Sequence, residues 1–480
     1  MNLGRSFNAF MRNSYTLLCL FLILNYSLMG QSLLRPDPDQ KFQEWKGWGI
    51  SLAWWANCMG GWDEATVVEI SEWITSPDEL NMNVFRFNIG GGDDPTHSHM
   101  RKDGGNVPCY KPAENAEFDW SQDANQRNFL LKINSRRKDA IYEAASYSPP
   151  WWMTKSCCSS GAVDGTDNLK EDYYDDFAAY LTTTVLHYKT KYGITFSSLS
   201  PVNEPFSGWW KAIGSQEGCA FSQESQHHLI REVYKSLEKN NMLEFCNISV
   251  MDANSVEECL KGLQGYEKAG DIVPLVKQVN THSYVSTGRI ELKKMADKLG
   301  LSLWQSESGP LDVNLLGLDN YLLMAQRIVT DIQELQPEVW CDWQLATQGT
   351  GDGRWGLLSY NPKDKTYQRE KSYYVRKQFS KYIKPGYDFI GGADKNSLAA
   401  LSPDKKQLVI VIVNEDTSGR NFSIDLSRFS KTAKLASIYR TSQNEDCMEI
   451  FEGLPLLNKK SNYLAPAKSV TTLQINVNNK

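Results

Sequence analysis

Two short segments of this 480-residue chain hold residue types suited to acid–base and nucleophilic chemistry. Ser200-Pro201-Val202-Asn203-Glu204-Pro205 and Leu303-Trp304-Gln305-Ser306-Glu307-Ser308-Gly309 each set a glutamate just after an apolar, strand-like run. Two carboxylates on separate strand ends are what hydrolysis of a glycosidic bond with retention requires. One is a protonated acid beside the leaving oxygen; the other is an ionised nucleophile on the opposite face of the sugar. Asn-Glu-Pro alone is a weak motif. Its weight comes from the downstream Ser-Glu-Ser-Gly and from aromatic segments near both. In that context the plainer reading, two ordinary surface glutamates, is the weaker one.

Fifteen tryptophans and twenty-two tyrosines accompany them. Many fall in clusters: Trp54-Trp55, Trp151-Trp152, Trp209-Trp210, and Trp340 with Trp343. Indole and phenol rings cover the apolar faces of sugars while their N–H and O–H groups bond hydroxyls. Core packing is the better reading for any single tryptophan, but doublets beside loops favour a sugar platform. The net charge is −6 and no basic block occurs, which argues against nucleic acid as a partner. Of ten cysteines, nine lie beyond the first thirty residues, so an oxidised chain would keep at least one thiol unpaired. With no C-x-x-C pair and only six histidines, no metal and no cofactor is expected. His97-x-His99 and His227-His228 read as loop and helix-surface residues.

These groups need a scaffold. The first thirty residues read as a secretory signal: Arg5 and Arg12 precede an apolar run from Tyr15 to Leu24, short for a membrane span. A membrane association is expected only if that segment stays uncleaved. Residues 31–46 form a polar lead-in expected to add a strand to another domain. Eight strand candidates follow, each succeeded by a loop or helical stretch: Gly47–Leu52, Val84–Asn88, Ile141–Ser146, Ser197–Val202, Asn247–Met251, Gln278–His282, Leu301–Gln305 and Glu338–Trp343. Strands alternating with helices predict an α/β fold, a (β/α)₈ TIM barrel over residues 47–383. Past Pro385 helical periodicity stops and short alternating runs begin, predicting an appended C-terminal β-sandwich domain over residues 384–480.

In such a barrel the C-terminal strand ends carry the chemistry. Glu204 follows the fourth strand candidate and Glu307 the seventh. The second brings Arg86 and the loop Gly90-Gly91-Gly92-Asp93, a tight turn giving a sugar room, with Asp93 a candidate substrate contact. The third ends near Trp151, the sixth at His282 and Tyr284, the eighth at Trp343.

On these motifs the chain, from about Trp45 onward, resembles glycoside hydrolase family 30. That retaining group includes glucosylceramidases, β-1,6-glucanases, β-1,6-galactanases and glucuronoxylanases. The resemblance implies Glu204 as acid/base and Glu307 as nucleophile. It implies Asn203 on the sugar 2-hydroxyl, Arg86 holding Glu307 ionised, and Tyr284 bonded to it with His282 nearby. Trp343 would floor the reacting subsite and Trp151 wall it. Physically, an arginine favours an ionised carboxylate, and a dry site beside a second carboxylate helps Glu204 keep its proton. A structural ion pair is the plainer reading for Arg86, and a satisfied core histidine for His282.

One departure is informative. Glucosylceramidases carry an aspartate in the first-strand loop, where Gly47-Trp48-Gly49-Ile50-Ser51-Leu52-Ala53-Trp54-Trp55 places Trp54. This run resembles the endo-β-1,6-galactanase branch. The expected protein is a secreted, periplasmic or cell-surface hydrolase whose partner is a β-linked oligo- or polysaccharide, most specifically an endo-β-1,6-galactanase. The alternatives are another family 30 β-glycosidase, or a non-catalytic carbohydrate-binding protein on the same scaffold.

Overall fold

A computed structural model describes residues 32–284, 286–310, 315, 317–349 and 355–478. The expected signal segment lies outside these residues. Two strands open the described chain, β1 (Ser32–Leu34) and β2 (Asp37–Glu44). Eight parallel strands then close into a barrel: β3 (Gly47–Ser51), β4 (Val84–Asn88), β5 (Ile141–Ala145), β6 (Phe196–Ser200), β7 (Asn247–Ala253), β8 (Gln278–His282), β9 (Ser302–Glu307) and β10 (Val339–Asp342), the last pairing with both β9 and β3. Each strand sits within a residue or two of its sequence prediction.

Alternation along the strands explains the barrel's layers. In β4, Phe85 and Phe87 join the large apolar core shared with the surrounding helices, while Val84 and Arg86 face the other way. Val84, Trp304, Val339 and Cys341 form a separate apolar cluster. One step along β4 comes a charged layer. Glu143 of β5 is fully buried and accepts from Arg86 Nε (2.8 Å), Ser198 Oγ (3.0 Å), Ser249 Oγ (2.8 Å), Gln278 Nε2 (2.9 Å) and Asn280 Nδ2 (2.9 Å). Those donors come from β4, β6, β7 and β8, so one carboxylate ties five strands together. Some of the helices between the strands begin at side-chain caps: Asp63 accepts from Thr66 N before Glu64–Thr75, and Ser222 from Ser225 N before Gln223–Lys239.

A three-stranded sheet follows β10, made of Ala346–Gln348, Leu358–Asn361 and Thr366–Arg369. The sequence reading passed from barrel to sandwich without it; its strands are three or four residues long and carry almost no alternation to detect.

The C-terminal region is β-rich. β2 pairs antiparallel with Asp388–Gly391 at the edge of the larger sheet, and β1 pairs parallel with Arg420–Asp425 in a three-stranded one. The lead-in thus gives a strand to each. The strand Gln407–Asn414 is buried on both faces: Leu408, Ile410 and Ile412 point into the sandwich core, whereas Val409, Val411 and Val413 join the barrel's core. A continuous apolar run is the sequence mark of such a doubly covered strand.

Candidate active site

Polar side chains at the barrel mouth line a cavity of about 410 Å³, within the range of ligand sites. Glu307 is the last residue of β9 and Glu204 lies just past β6. A carboxylate oxygen of each lies within 4.8 Å of the other. Glu204 adopts a left-handed backbone, φ 46°, uncommon for a residue with a side chain. Its own N–H donates to Asp252 O (2.8 Å), and Trp210 Nε1 donates to its carbonyl (3.1 Å). These bonds offset the conformational cost and fix the direction in which Glu204 projects.

Glu307 accepts from the Tyr284 hydroxyl at 2.7 Å and sits 3.6 Å from Arg86 Nη1. Burial, reinforced by the charge of Glu204, outweighs the attraction of His282 and Arg86 and raises its pKa to about 7. Arg86, implied by the resemblance to hold Glu307 ionised, pulls in that direction behind His282, and burial outweighs both. The guanidinium is fully buried, and its direct side-chain bonds go to Glu143 and Asp252. It neutralises the layer beneath the site.

His282 occupies the space between the carboxylates. Its Nδ1 lies 3.3 Å from Glu204 Oε1 and 3.4 Å from Glu307 Oε1, and its Nε2 lies 3.3 Å from Asp252 Oδ1. Burial alone would strip its proton, but three acidic neighbours, Glu307 foremost, raise its pKa to about 10. Asp252 runs the opposite way: burial opposes its charge, yet Arg86, His282 and Ser306 bring it down to about 2. The mouth therefore rests on a buried cation–anion network that holds its charges at neutral pH.

Sequence reasoning and structure part over several residues. Trp54, Asn203, Tyr284 and Trp343 line the cavity with the two glutamates. Trp54 meets Trp343 edge to face at 5.2 Å, and the Arg101 guanidinium lies 4.3 Å over its ring. Its neighbour Trp55 is fully buried and bonds Ser51 O, so that doublet splits between site and core. Arg86 and His282 lie under the cavity without lining it. Trp151 does not reach it either: β5 ends at Ala145, and Tyr147 takes the place at the mouth. Asp93 also stays out, its carboxylate turned to His97 and His99.

Asn254, Glu217, Arg101 and Gln344 line the cavity without having been singled out. Asn254 follows β7, and a polar residue after a barrel strand was the available signal. Glu217 accepts from Asn88 Nδ2 (2.9 Å) and the Gly91 N–H (3.0 Å), and burial lifts its pKa to about 8. Nothing local marks it; it lies deep in the loop after β6.

Paired carboxylates at a TIM-barrel mouth, walled by tryptophan and underlain by a charged network, define a glycoside hydrolase. Comparison with known proteins narrows the class. The family described as O-Glycosyl hydrolase family 30 matches residues 32–347, and the chain belongs to it. It is 30% identical over 419 residues to an endo-beta-1,6-galactanase of Hypocrea rufa, covering 82% of this chain and 83% of that one. It is 22% identical over 545 residues to an exo-beta-1,6-galactobiohydrolase of Bifidobacterium longum subsp. longum, covering 83% of this chain and 35% of that longer relative. Among solved structures, the catalytic domain of GH30 xylanase C from Talaromyces cellulolyticus shares the fold, with a TM-score of 0.70 at 17% identity over 92% of this chain and 100% of that one. The chain is a family 30 β-glycan hydrolase.

Proposed function

We propose that the protein is a retaining endo-β-1,6-galactanase with Glu307 as nucleophile and Glu204 as acid/base. The observation that carries the retaining reading is the approach of the two carboxylates, oxygen to oxygen within 4.8 Å. Retaining pairs stand about 5–5.5 Å apart, against about 6.5–9.5 Å for inverting pairs that must admit a water. Glu307 attacks the anomeric carbon while Glu204 protonates the departing oxygen, giving a glycosyl ester. Glu204 then takes a proton from water, the water's oxygen displaces Glu307, and the sugar leaves with its β configuration. The Tyr284 hydroxyl orients Glu307 for attack. Asn203 Oδ1 has no hydrogen-bond partner among the described residues, so its amide is available to the 2-hydroxyl.

The substrate reading is supported by the 30% identical relative, named an endo-beta-1,6-galactanase. Trp54 supports it too: an indole stands where a carboxylate would grip the outer hydroxyls of glucose bidentately. Trp209, 54% exposed, extends an aromatic platform at the cavity edge, in keeping with a polymeric substrate. The 22% identical relative favours a second reading, release of disaccharide units from a chain end. Export to the periplasm, cell surface or medium belongs to this proposal, supported by the basic and apolar start of the sequence.

Digestion of β-1,6-galactan and β-1,6-glucan, followed by proton NMR and product sizing, tests these statements together. The expected result is galactan cleavage to a ladder of oligomers, with the β anomer appearing first. An initial α anomer would refute the retaining mechanism. A disaccharide as sole product would favour the second reading, and equal rates on both glycans would remove the galactan assignment.

A further inference from the structure

The loop after β4 runs Asp93-Asp94-Pro95-Thr96-His97-Ser98-His99. Folding brings Asp93, His97 and His99 together with Cys158, which arrives on the loop after β5. One donor atom from each lies within 4.8 Å of all the others. His99 Nε2 is 3.0 Å from Asp93 Oδ2, His97 Nδ1 is 3.6 Å from Asp93 Oδ1, and Cys158 Sγ is 3.7 Å from His97 Nδ1. With metal–ligand bonds of about 2.0–2.3 Å, the edges of a coordination tetrahedron are about 3.3–3.7 Å. Two of these three separations, 3.6 and 3.7 Å, fall within that range and the third, 3.0 Å, lies just below it.

The cluster is shielded except at His97, whose side chain is 24% exposed, and Asp93 and His99 each keep a polar atom without a hydrogen bond. The Asp93 and His99 side chains are 5% and 8% exposed, and Cys158 is 2% exposed. Asp93 Oδ1 has no hydrogen-bond partner among the described residues, and His99 Nε2 has only the 3.0 Å approach of Asp93 Oδ2; leaving such atoms without a full partner is costly. The Gly214 carbonyl contacts His99 Nδ1 and so keeps the proton there. Nε2 is then the ring nitrogen directed at Asp93. A backbone acceptor on the far nitrogen is the usual means of orienting a metal-ligating histidine.

We propose that Asp93, His97, His99 and Cys158 form a structural zinc site. Two imidazoles, a thiolate and a carboxylate suit zinc, whereas calcium and magnesium favour all-oxygen shells. Four protein donors complete the tetrahedron, leaving no open position for catalysis. The sequence argument against a metal looked for closely spaced cysteine pairs; here the donors are divided between two loops. The site would bolt the loop after β4 to the loop after β5. It also stands behind one wall of the active-site cavity. Arg101, just beyond His99, donates its N–H to Ser215 O (2.8 Å) and covers the Trp54 ring at 4.3 Å. Zinc would therefore hold Arg101 and Trp54 in register.

Metal binding to the full chain tests this without an activity assay. Protein stripped with a chelator is titrated with zinc alone against a chromogenic competitor, and separately with cobalt(II). The expected result is uptake of one zinc per chain, with tetrahedral cobalt absorption and a thiolate-to-cobalt band. Cys158→Ser should abolish that band, and the exposed neighbour variant Cys157→Ser should keep it. His99→Gln should weaken zinc binding by roughly 100-fold or more. Chelation should lower the melting temperature and zinc restore it. Wild-type chain that retains its near-ultraviolet circular dichroism after stripping yet takes up no stoichiometric zinc overturns the proposal. So does a thiolate band that survives Cys158→Ser.

Discussion

Asn254 Nδ2 donates to Glu204 Oε1 at 2.6 Å. The imidazole of His282 approaches that same oxygen at 3.3 Å. Both neighbours occupy Oε1, which leaves Oε2 to face the leaving group. Asn254 thereby selects which oxygen acts. Replacing it with alanine should lower kcat/KM by roughly 10- to 100-fold, at or below the usual worth of general acid catalysis. The loss should be largest for poor leaving groups. A series of aryl β-galactosides measures this, and a uniform loss across the series would remove the assignment.

The two glutamates should fail differently. Glu307→Gln should reduce turnover to below roughly one part in 10⁴, because no ester can form. Glu204→Ala should lose about 10²- to 10⁴-fold on substrates needing protonation. Azide should partly restore that variant and yield a β-glycosyl azide, having entered from the face that Glu204 vacates. An α-azide from the Glu204 variant would exchange the two roles.

With Glu307 titrating near 7 and active only when ionised, kcat/KM should fall about tenfold per pH unit below that point. Glu204 contributes to raising this value, so Glu204→Gln, assayed on an activated aryl glycoside, should move the acid limb to lower pH. His282 pulls in the opposite direction, and His282→Asn should move the limb up. The histidine has a stability signature as well. Its pKa is raised from 6.5 to about 10, so its stabilisation is complete below about 6.5 and disappears as pH rises through 10. Urea midpoints measured between those values should decline in the wild type and flatten in His282→Asn.

Arg86 neutralises Glu143 and Asp252 where none of the three meets solvent. Arg86→Met should destabilise the chain by about 3–5 kcal/mol, the usual result of stranding a buried charge. Equilibrium urea unfolding measures it. An unchanged midpoint would show that the network does not depend on its cation.

The barrel was legible because its strands alternate with helical stretches, and Glu204 and Glu307 because each stands at the end of a strand-like run. What stayed hidden was whatever the fold alone assembles. Glu143 sits inside an apolar strand and collects donors from four others, a relation that no window of sequence contains. Asp252 near the end of β7 and Asn254 just past it carry no motif. Trp151 attracted attention as half of a doublet, yet a tryptophan pair on adjacent residues does not say which ring faces a ligand. Residues 93–99 and Cys158 meet only after two loops fold against each other.

The pairing of β1 with Arg420–Asp425 and of β2 with Asp388–Gly391 sets an order of events during synthesis. The ribosome delivers these two strands before the barrel and their partners after it. A chain that folds as it emerges would complete the barrel while both leading strands still waited with open edges, inviting association with other chains. Closing so large a loop costs only slightly more entropy than closing a moderate one, so the finished molecule loses little stability by this arrangement. The cost is instead one of time: the interval in which residues 32–44 must be kept from the wrong partner lasts until nearly the whole polypeptide has been made.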